Sequence, residues 1–240
     1  MKTNWYSMVS RIQAHRNNPR PVSYVLGGSY FCGEWFLVSP EVLIPRKETE
    51  LLVNYIINIA GNRNLPPAGL RVLDLGTGSG NISVILAKRL DCAVYAVDIR
   101  AGALAIARRN ARMHEVENKI KFFQSDWGSG MDIEPVDIVV SNPPYIGDEE
   151  WDLLPPEVKD FEPHIALRGG RRGLQHYGKI IDGADRWLLP GGIIALEIGP
   201  KQAGDVEVLM KGFTDIRVTA DQYNNPRMIS GVKKNGSNPL

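Results

Sequence analysis

From residue 71 onward, short apolar runs alternate with stretches of helical spacing, a pattern that predicts a parallel sheet covered by helices on both faces. Arg71–Leu75 reads as the first strand and runs into a glycine-rich turn, after which residues 82–90 carry apolar positions at helical spacing. Residues 92–97 form a second strand ending at Asp98, and the alanine-rich Ala101–Met113 is the next helix. Ile120–Gln124 is the third strand and Val136–Ser141 the fourth. The fourth stops at Asn142, Pro143 and Pro144, because proline fixes φ and brings no ladder donor. After an irregular stretch, residues 173–189 read as a helix closed by Pro190, Gly191 and Gly192. A fifth strand over 193–198, a short helix over 202–211 and closing strands over 214–219 and 228–233 complete a doubly wound α/β sheet of seven strands.

The first seventy residues follow another pattern. Residues 24–26, 30–32 and 35–38 are β-like runs broken by Gly27, Gly28 and Gly33, which predicts a small hairpin. Residues 45–60 read as a helix and 62–69, with Pro66 and Pro67, as a linker. The expected organisation is a short N-terminal segment over 1–20, hairpin, helix and linker over 21–69, and the sheet domain over 70–240.

Composition narrows the partners. The formal net charge is +1, from 28 basic and 27 acidic residues, so no general field attracts nucleic acid or an anionic membrane. The one local basic patch, Arg168, Arg171 and Arg172, reads first as a solvated loop. No nucleic-acid partner and no membrane partner is expected. Cys32 and Cys92 look like thiols of a reducing compartment, and the N-terminus carries no apolar leader, so the expected location is the cytoplasm. His15, His114, His164 and His176 show no ligand spacing, so no metal is assigned.

Ligands of open parallel sheets bind beyond the carboxyl ends of the strands. Asp74, Leu75, Gly76, Thr77, Gly78, Ser79 and Gly80 make a loop at such an end, and Asp98 closes the next strand about twenty residues later, suited to bridging two ribose hydroxyls. Asp126 and Trp127 follow the third strand, where an acid can accept from an adenine amino group and an indole can cover the base. Each also has a structural alternative: a tight turn, a turn-capping Asp126, a core Trp127. The glycine spacing departs from the dinucleotide fingerprint and suits S-adenosylmethionine, which has no pyrophosphate, with Asp74 near its ammonium group.

Asn142, Pro143, Pro144 and Tyr145 then select the chemistry. A conjugated nitrogen is planar and a poor nucleophile because its lone pair is delocalised. The Asn142 side-chain oxygen and the Pro143 carbonyl can each accept one of its N–H groups, drawing density onto nitrogen as it pyramidalises. Pro143 and Pro144 hold those acceptors rigidly, and Tyr145 offers a stacking face.

With these pieces in place the chain resembles the protein-glutamine N5-methyltransferases of the HemK/PrmC family. The resemblance runs over roughly residues 21–232. It rests on Pro21-Val-Ser-Tyr-Val-Leu-Gly27, Val42-Leu-Ile-Pro-Arg-Lys-Glu-Thr-Glu50, Leu73-Asp-Leu-Gly-Thr-Gly-Ser-Gly80, Ser141-Asn-Pro-Pro-Tyr145, Glu162-Pro, Ala166-Leu, Gly169-Gly and Gly173-Leu. It implies a class I, Rossmann-like methyltransferase sheet using S-adenosylmethionine, with a release-factor glutamine as acceptor. Gly76, Thr77, Gly78, Ser79, Gly80, Asp98, Trp127 and Asn142 are then donor contacts, and Asn142, Pro143, Pro144 and Tyr145 acceptor contacts. Pro45, Arg46, Glu48 and Thr49 either shape the wall of the site or only start a helix. The resemblance also implies a longer helical domain ahead of residue 21, where this sequence has about twenty residues. Lys47 and Arg172 replace a proline and an acid common in the family. Second to the release factor as acceptor stands another protein or a peptide-like small molecule, and the alternative chemistry is adenine-N6 methylation of nucleic acid.

Overall fold

The computed structural model describes residues 20–62 and 69–234. The segment expected over 1–20 and the linker over 62–69 fall almost wholly outside the described residues. The seven-stranded sheet is present: β3 (Arg71–Leu75), β4 (Ala93–Asp98), β5 (Ile120–Gln124), β6 (Val136–Ser141), β9 (Leu188–Glu197), β10 (Phe213–Ala220) and β11 (Pro226–Lys233). Their order is β10-β11-β9-β6-β3-β4-β5. The five strands β5, β4, β3, β6 and β9 run parallel, while β11 pairs antiparallel with β9 and β10.

Strand periodicity divides the core in two. Val72, Val94, Ala96, Ile138 and Val140 point to one face, against α2 (Thr49–Asn62) and α3 (Asn81–Arg89). Leu73, Leu75, Tyr95, Val97 and Val139 point to the other, against α6 (Gln175–Trp187), where Tyr177, Ile180, Ala184 and Trp187 are buried. These strands read as continuous apolar runs because both faces are covered. α4 (Ala101–Met113) packs by β5 and also takes the N-terminal hairpin, β1 (Gly28–Phe31) with β2 (Glu34–Leu37). Asn110, buried in α4, accepts from the Leu37 N–H (2.8 Å) and donates to the Leu37 and Ser79 carbonyls (3.0 and 2.7 Å). One amide thereby ties the hairpin to the glycine loop.

Three local expectations are corrected. Residues 24–26 belong to a helical turn, α1 (Val22–Leu26), opened by Pro21 and closed by Gly27, rather than to a β run. The helix expected from residue 45 begins at Thr49, and Pro45 and Arg46 ahead of it line a cleft instead. The helix expected to reach residue 189 ends at Trp187, and Pro190, Gly191 and Gly192 lie inside β9 rather than ahead of it. There β9 pairs Leu188 with Val136 and next Ile193 with Ile138, so the Pro-Gly-Gly run is absorbed as a bulge.

Behind the β6 end, a two-strand ladder of β7 (Ile146–Gly147) and β8 (Arg168–Gly170) fixes the chain that leaves Tyr145. Buried Gln202 donates to the Tyr145 and Arg172 carbonyls (2.8 and 3.1 Å) and accepts from the Gly199 N–H (2.9 Å), with the Tyr177 hydroxyl oxygen 3.1 Å from its amide oxygen. Gly173 sits at φ +70°, and a Cβ there would collide with the Tyr145 carbonyl oxygen and the Gln202 amide. Gly173→Ala is therefore expected to cost about 3 kcal/mol of stability, through strain and collision together, read as a lower urea midpoint at unchanged m-value. A midpoint equal to wild type would contradict this packing.

Candidate active site

The carboxyl ends of β3, β4, β5 and β6 open onto one cleft of about 1010 Å³, counting its solvent-open mouth. The order of the sheet reverses at β3, so the chain leaves its end and that of β6 in divergent directions and the gap stays uncovered. The Ser141 hydroxyl bridges those two ends by donating to the Leu75 carbonyl (2.6 Å).

The glycine loop forms one wall. Gly76 and Thr77 both donate to the Val97 carbonyl (2.8 Å each), which folds the loop over the end of β4. Gly76, Gly78 and Gly80 all have positive φ, and at Gly80 a Cβ would press on Ala107 of α4, so the tight turn and the loop's contact with that helix both call for glycine. Asp98 stands at the end of β4. Its Oδ2 accepts from the Gly78 N–H and its Oδ1 from the Arg100 N–H (2.9 Å each), leaving a further lone pair on each oxygen for donated hydroxyls. Burial raises its pKa, although the Arg100 and Gly78 N–H groups oppose the shift.

Gly76, Thr77, Gly78, Ser79, Asp98, Asp126, Trp127, Asn142 and Pro144 all line the cleft. Trp127 lies against Gly76 and the His176 ring, 5.1 Å away. Ile99 beside Asp98 is 46% exposed and lines the same cleft, leaving an apolar flank uncovered. Asp126 is paired with Lys179 (3.2 Å) at the rim.

Asp74, Gly80, Pro143 and Tyr145 are set back from the wall. Asp74 is fully buried under the loop, where its Oδ2 accepts from Thr77 (2.7 Å) and Ser83 (2.5 Å), while Oδ1 has no partner. Burial pushes its pKa up to about 6, against the lowering effect of the two hydroxyls. The Tyr145 ring packs against the core, and its hydroxyl donates to Glu197 (3.3 Å).

Pro45, Arg46 and Thr49 form the opposite wall. Buried Glu162 clamps it, accepting from the Ile44 N–H (3.1 Å) and the Arg46 guanidinium (2.5 Å). Ile165 and Ala166, three and four residues further on, reach the cleft mouth. His164 is held by the carbonyl of Lys159 (2.8 Å), the last residue of the short helix α5 (Pro156–Lys159), and by the edge of Trp151. Of the basic patch, Arg168 lies over the Trp151 ring and Arg172 is paired with Asp205 (2.7 Å).

Several contributors were not singled out from sequence. Glu197, at the end of β9, accepts from Thr49 (2.6 Å) and Tyr145, and Thr49 in turn accepts from the Asn142 amide (3.0 Å). His176 lines the cleft with a buried Nδ1 that has no partner, and burial lowers its pKa. A polar residue at a strand end was the available signal for Glu197; the three-residue step from Gly173 into α6 offered none for His176.

The family model described as methyltransferase small domain matches residues 49–154, the stretch that contains both the glycine loop and Asn142 to Tyr145. A release factor glutamine methyltransferase of Koribacter versatilis is 42% identical over 226 residues, covering 92% of this chain and 77% of that protein. The chain belongs to the release factor glutamine methyltransferase family. A second member, from Geobacter sulfurreducens, is 38% identical over 91% of this chain and 75% of its own length. In fold, a methyltransferase structure from Pyrococcus furiosus superposes with TM-score 0.61 at 18% identity, covering 94% of this chain and 97% of that one. The fold is thus the doubly wound seven-stranded sheet expected from the strand pattern, in the Rossmann-like methyltransferase form that the family resemblance implies.

Asp74 sets a pH dependence on stability. Its folded pKa of about 6 lies above the ordinary 3.8, so its contribution is fully present below about pH 4 and is lost as pH rises through 6. Asp74→Asn removes that titration and is expected to flatten the fall in melting temperature of the ligand-free protein between pH 4 and 6. An unchanged slope would assign the fall to other groups.

Proposed function

We propose that this chain methylates the side-chain amide nitrogen of a protein glutamine, the one in the Gly-Gly-Gln motif of peptide-chain release factors, with S-adenosylmethionine as donor and the cytoplasm as its place of work. The observation that carries the reaction is the state of Asn142. Its Nδ2 is committed to Thr49, while nothing among the described residues donates to its Oδ1, on a side chain that lines the cleft with the glycine loop and Asp98. An unclaimed amide oxygen beside a nucleoside-sized slot suits recognition of a second amide's N–H.

The donor half fits what the residues offer. Asp98 has lone pairs for the ribose hydroxyls, and Trp127 and Ile99 flank the base. Thr77, Gly78 and Ser79 bring the loop backbone to the amino-acid tail, with Asp74 behind them. S-adenosylmethionine supplies a sulfonium methyl group open to in-line attack. Asn142 Oδ1 accepts one N–H of the glutamine amide, and the Pro143 carbonyl, on the residue set back between the cleft-lining Asn142 and Pro144, is the acceptor for the other once the amide is bound; together they localise the lone pair and aim it at the methyl carbon. As the N–C bond forms and the S–C bond breaks, the surplus proton on nitrogen leaves to water. Pro144 faces the cleft and limits the approach of the planar group, while Tyr145 steadies the loop from behind through Glu197.

Release factors as the partner are supported by the identity of about two residues in five to proteins of that name over most of both chains. The wall of Pro45, Arg46 and Thr49 and the mouth residues Ile165 and Ala166 would receive the glutamine-bearing loop. Incubation with methyl-labelled donor and purified release factor, followed by mass-spectrometric mapping, is expected to place the label on the Gly-Gly-Gln glutamine. Asn142→Ala should lower kcat by about a hundredfold, the scale of losing one preorganised hydrogen-bond partner. Label on nucleic acid and none on glutamine would replace this reading with adenine methylation, and undiminished labelling by Asn142→Ala would remove the mechanism.

A further inference from the structure

We propose that Glu197, which lies behind the cleft and out of reach of any acceptor, is a positioning residue: through the Thr49 hydroxyl it sets which way round the Asn142 amide stands, and so delivers the amide oxygen to the cleft. The inference rests on the glutamine-methylation reading for its catalytic consequence, and on geometry alone for the relay.

A terminal amide looks nearly the same flipped by 180°, yet here only one orientation is useful. With nitrogen toward the acceptor, Asn142 would offer a donor to a group that is itself a donor. Something must break the symmetry, and Thr49 can do so only if its single hydroxyl proton is already spent. Its Oγ1 donates to Glu197 Oε2 (2.6 Å), and a hydroxyl has no second proton. What remains toward Asn142 is a lone pair, which accepts from Nδ2 (3.0 Å) and rejects Oδ1. Tyr145 donates into the other carboxylate oxygen at 3.3 Å, so every hydroxyl around Glu197 points inward. Direction is thereby passed from a charge to an amide two hydrogen bonds away.

The relay depends on Glu197 being ionised. A proton on its carboxyl could be donated to Thr49, freeing the hydroxyl to turn toward Asn142 and favouring the flipped amide. Burial pushes the Glu197 pKa up to about 7, against the lowering contributions of the Thr49 and Tyr145 hydroxyls. The surrounding charges come from several elements: Glu48 ahead of α2 raises it and Arg227 of β11 lowers it. Arg46 acts on neighbouring Tyr145, and the α6 Tyr177 hydroxyl donates to the Glu197 backbone carbonyl (3.0 Å). The switch therefore sits near neutrality, with the productive orientation on the alkaline side.

Three variants and one spectroscopic signal test this. Thr49→Val keeps shape and removes the hydroxyl; it should lower kcat about tenfold or more while S-adenosylmethionine affinity, measured by titration calorimetry, stays within about threefold. Thr49→Ser should restore kcat. Glu197→Gln presents an amide oxygen to Thr49 without titrating, so it should keep most of the kcat at pH 8 and lose the fall seen in wild type through about pH 7. Without any acceptor protein, the Asn142 side-chain ¹⁵NH₂ signal of the donor-bound wild type should shift with a midpoint near pH 7, and should not do so in Glu197→Gln. Retention of kcat within twofold by Thr49→Val overturns the proposal, as does a pH-independent Asn142 signal in wild type or an unaltered acidic limb in Glu197→Gln. Should Glu197→Gln not fold, the Thr49 pair and the wild-type signal decide. Failure of wild type to label release factor would remove the acceptor assignment and leave the spectroscopic outcome standing.

Discussion

The reversal of strand order at β3 is the constraint on which the rest depends. β4 and β5 are added on one side of β3, β6 and β9 on the other, so the segments leaving β3 and β6 part and no helix can close the space between them. Everything chemical stands at the rim of that gap. The glycine loop is the exit from β3, Asp98 the exit from β4, Trp127 lies just beyond β5, and Asn142 is the first residue past β6. Glu197 ends β9, one strand further out, which is why it can support the site from behind without entering it.

Three buried acids at these ends show how the arrangement is held. Asp74, Asp98 and Glu197 all have raised pKa values, with burial the leading cause in each case. Each is met by protein donors, hydroxyls for Asp74 and Glu197 and backbone N–H groups for Asp98. A buried carboxylate left short of partners opposes folding. Of the three, only Asp98 lines the cleft, where its spare lone pairs are open to a ligand's donors; the unpaired Oδ1 of Asp74 stays buried under the loop.

Legibility in the sequence followed the range of the forces involved. The strands over Arg71–Leu75, Ile120–Gln124 and Val136–Ser141 could be read to the residue, and the helix Ala101–Met113 nearly so, because apolar runs and their breakers are local. Local rules misplaced the bulge at Pro190 to Gly192, since a Pro-Gly-Gly run reads as a stop when the pairing strand is not in view. They also turned Val22–Leu26 into a β run, where a single helical turn between Pro21 and Gly27 is too short to show a period. The glycine loop and Asp98 were legible as candidates, for they sit at predicted strand ends. Glu197 sat at one too, but its meaning lies in Thr49, 148 residues away, and no spacing along the chain announces that pair.

The two halves of the cleft differ in the same respect, and this bears on how the site is assembled. The donor half is held by contacts of short span: Asp74 with Thr77 and Ser83, Gly78 with Asp98, Asp98 with Arg100. The glycine loop and Asp98 meet once β3 and β4 pair, and Trp127 joins them when β5 is added. The side of Asn142 and its facing wall is held by contacts of much longer span, Arg46 with Glu162 across 116 residues and Thr49 with Glu197 across 148. Loop-closure entropy makes such contacts late and interdependent. Asn142 is set by β6 but oriented only when the start of α2 has docked on β9. A half-assembled molecule therefore has the glycine loop and Asp98 in place while the Asn142 amide is still unoriented, and the docking of the segment that carries Pro45, Arg46 and Thr49 completes the cleft.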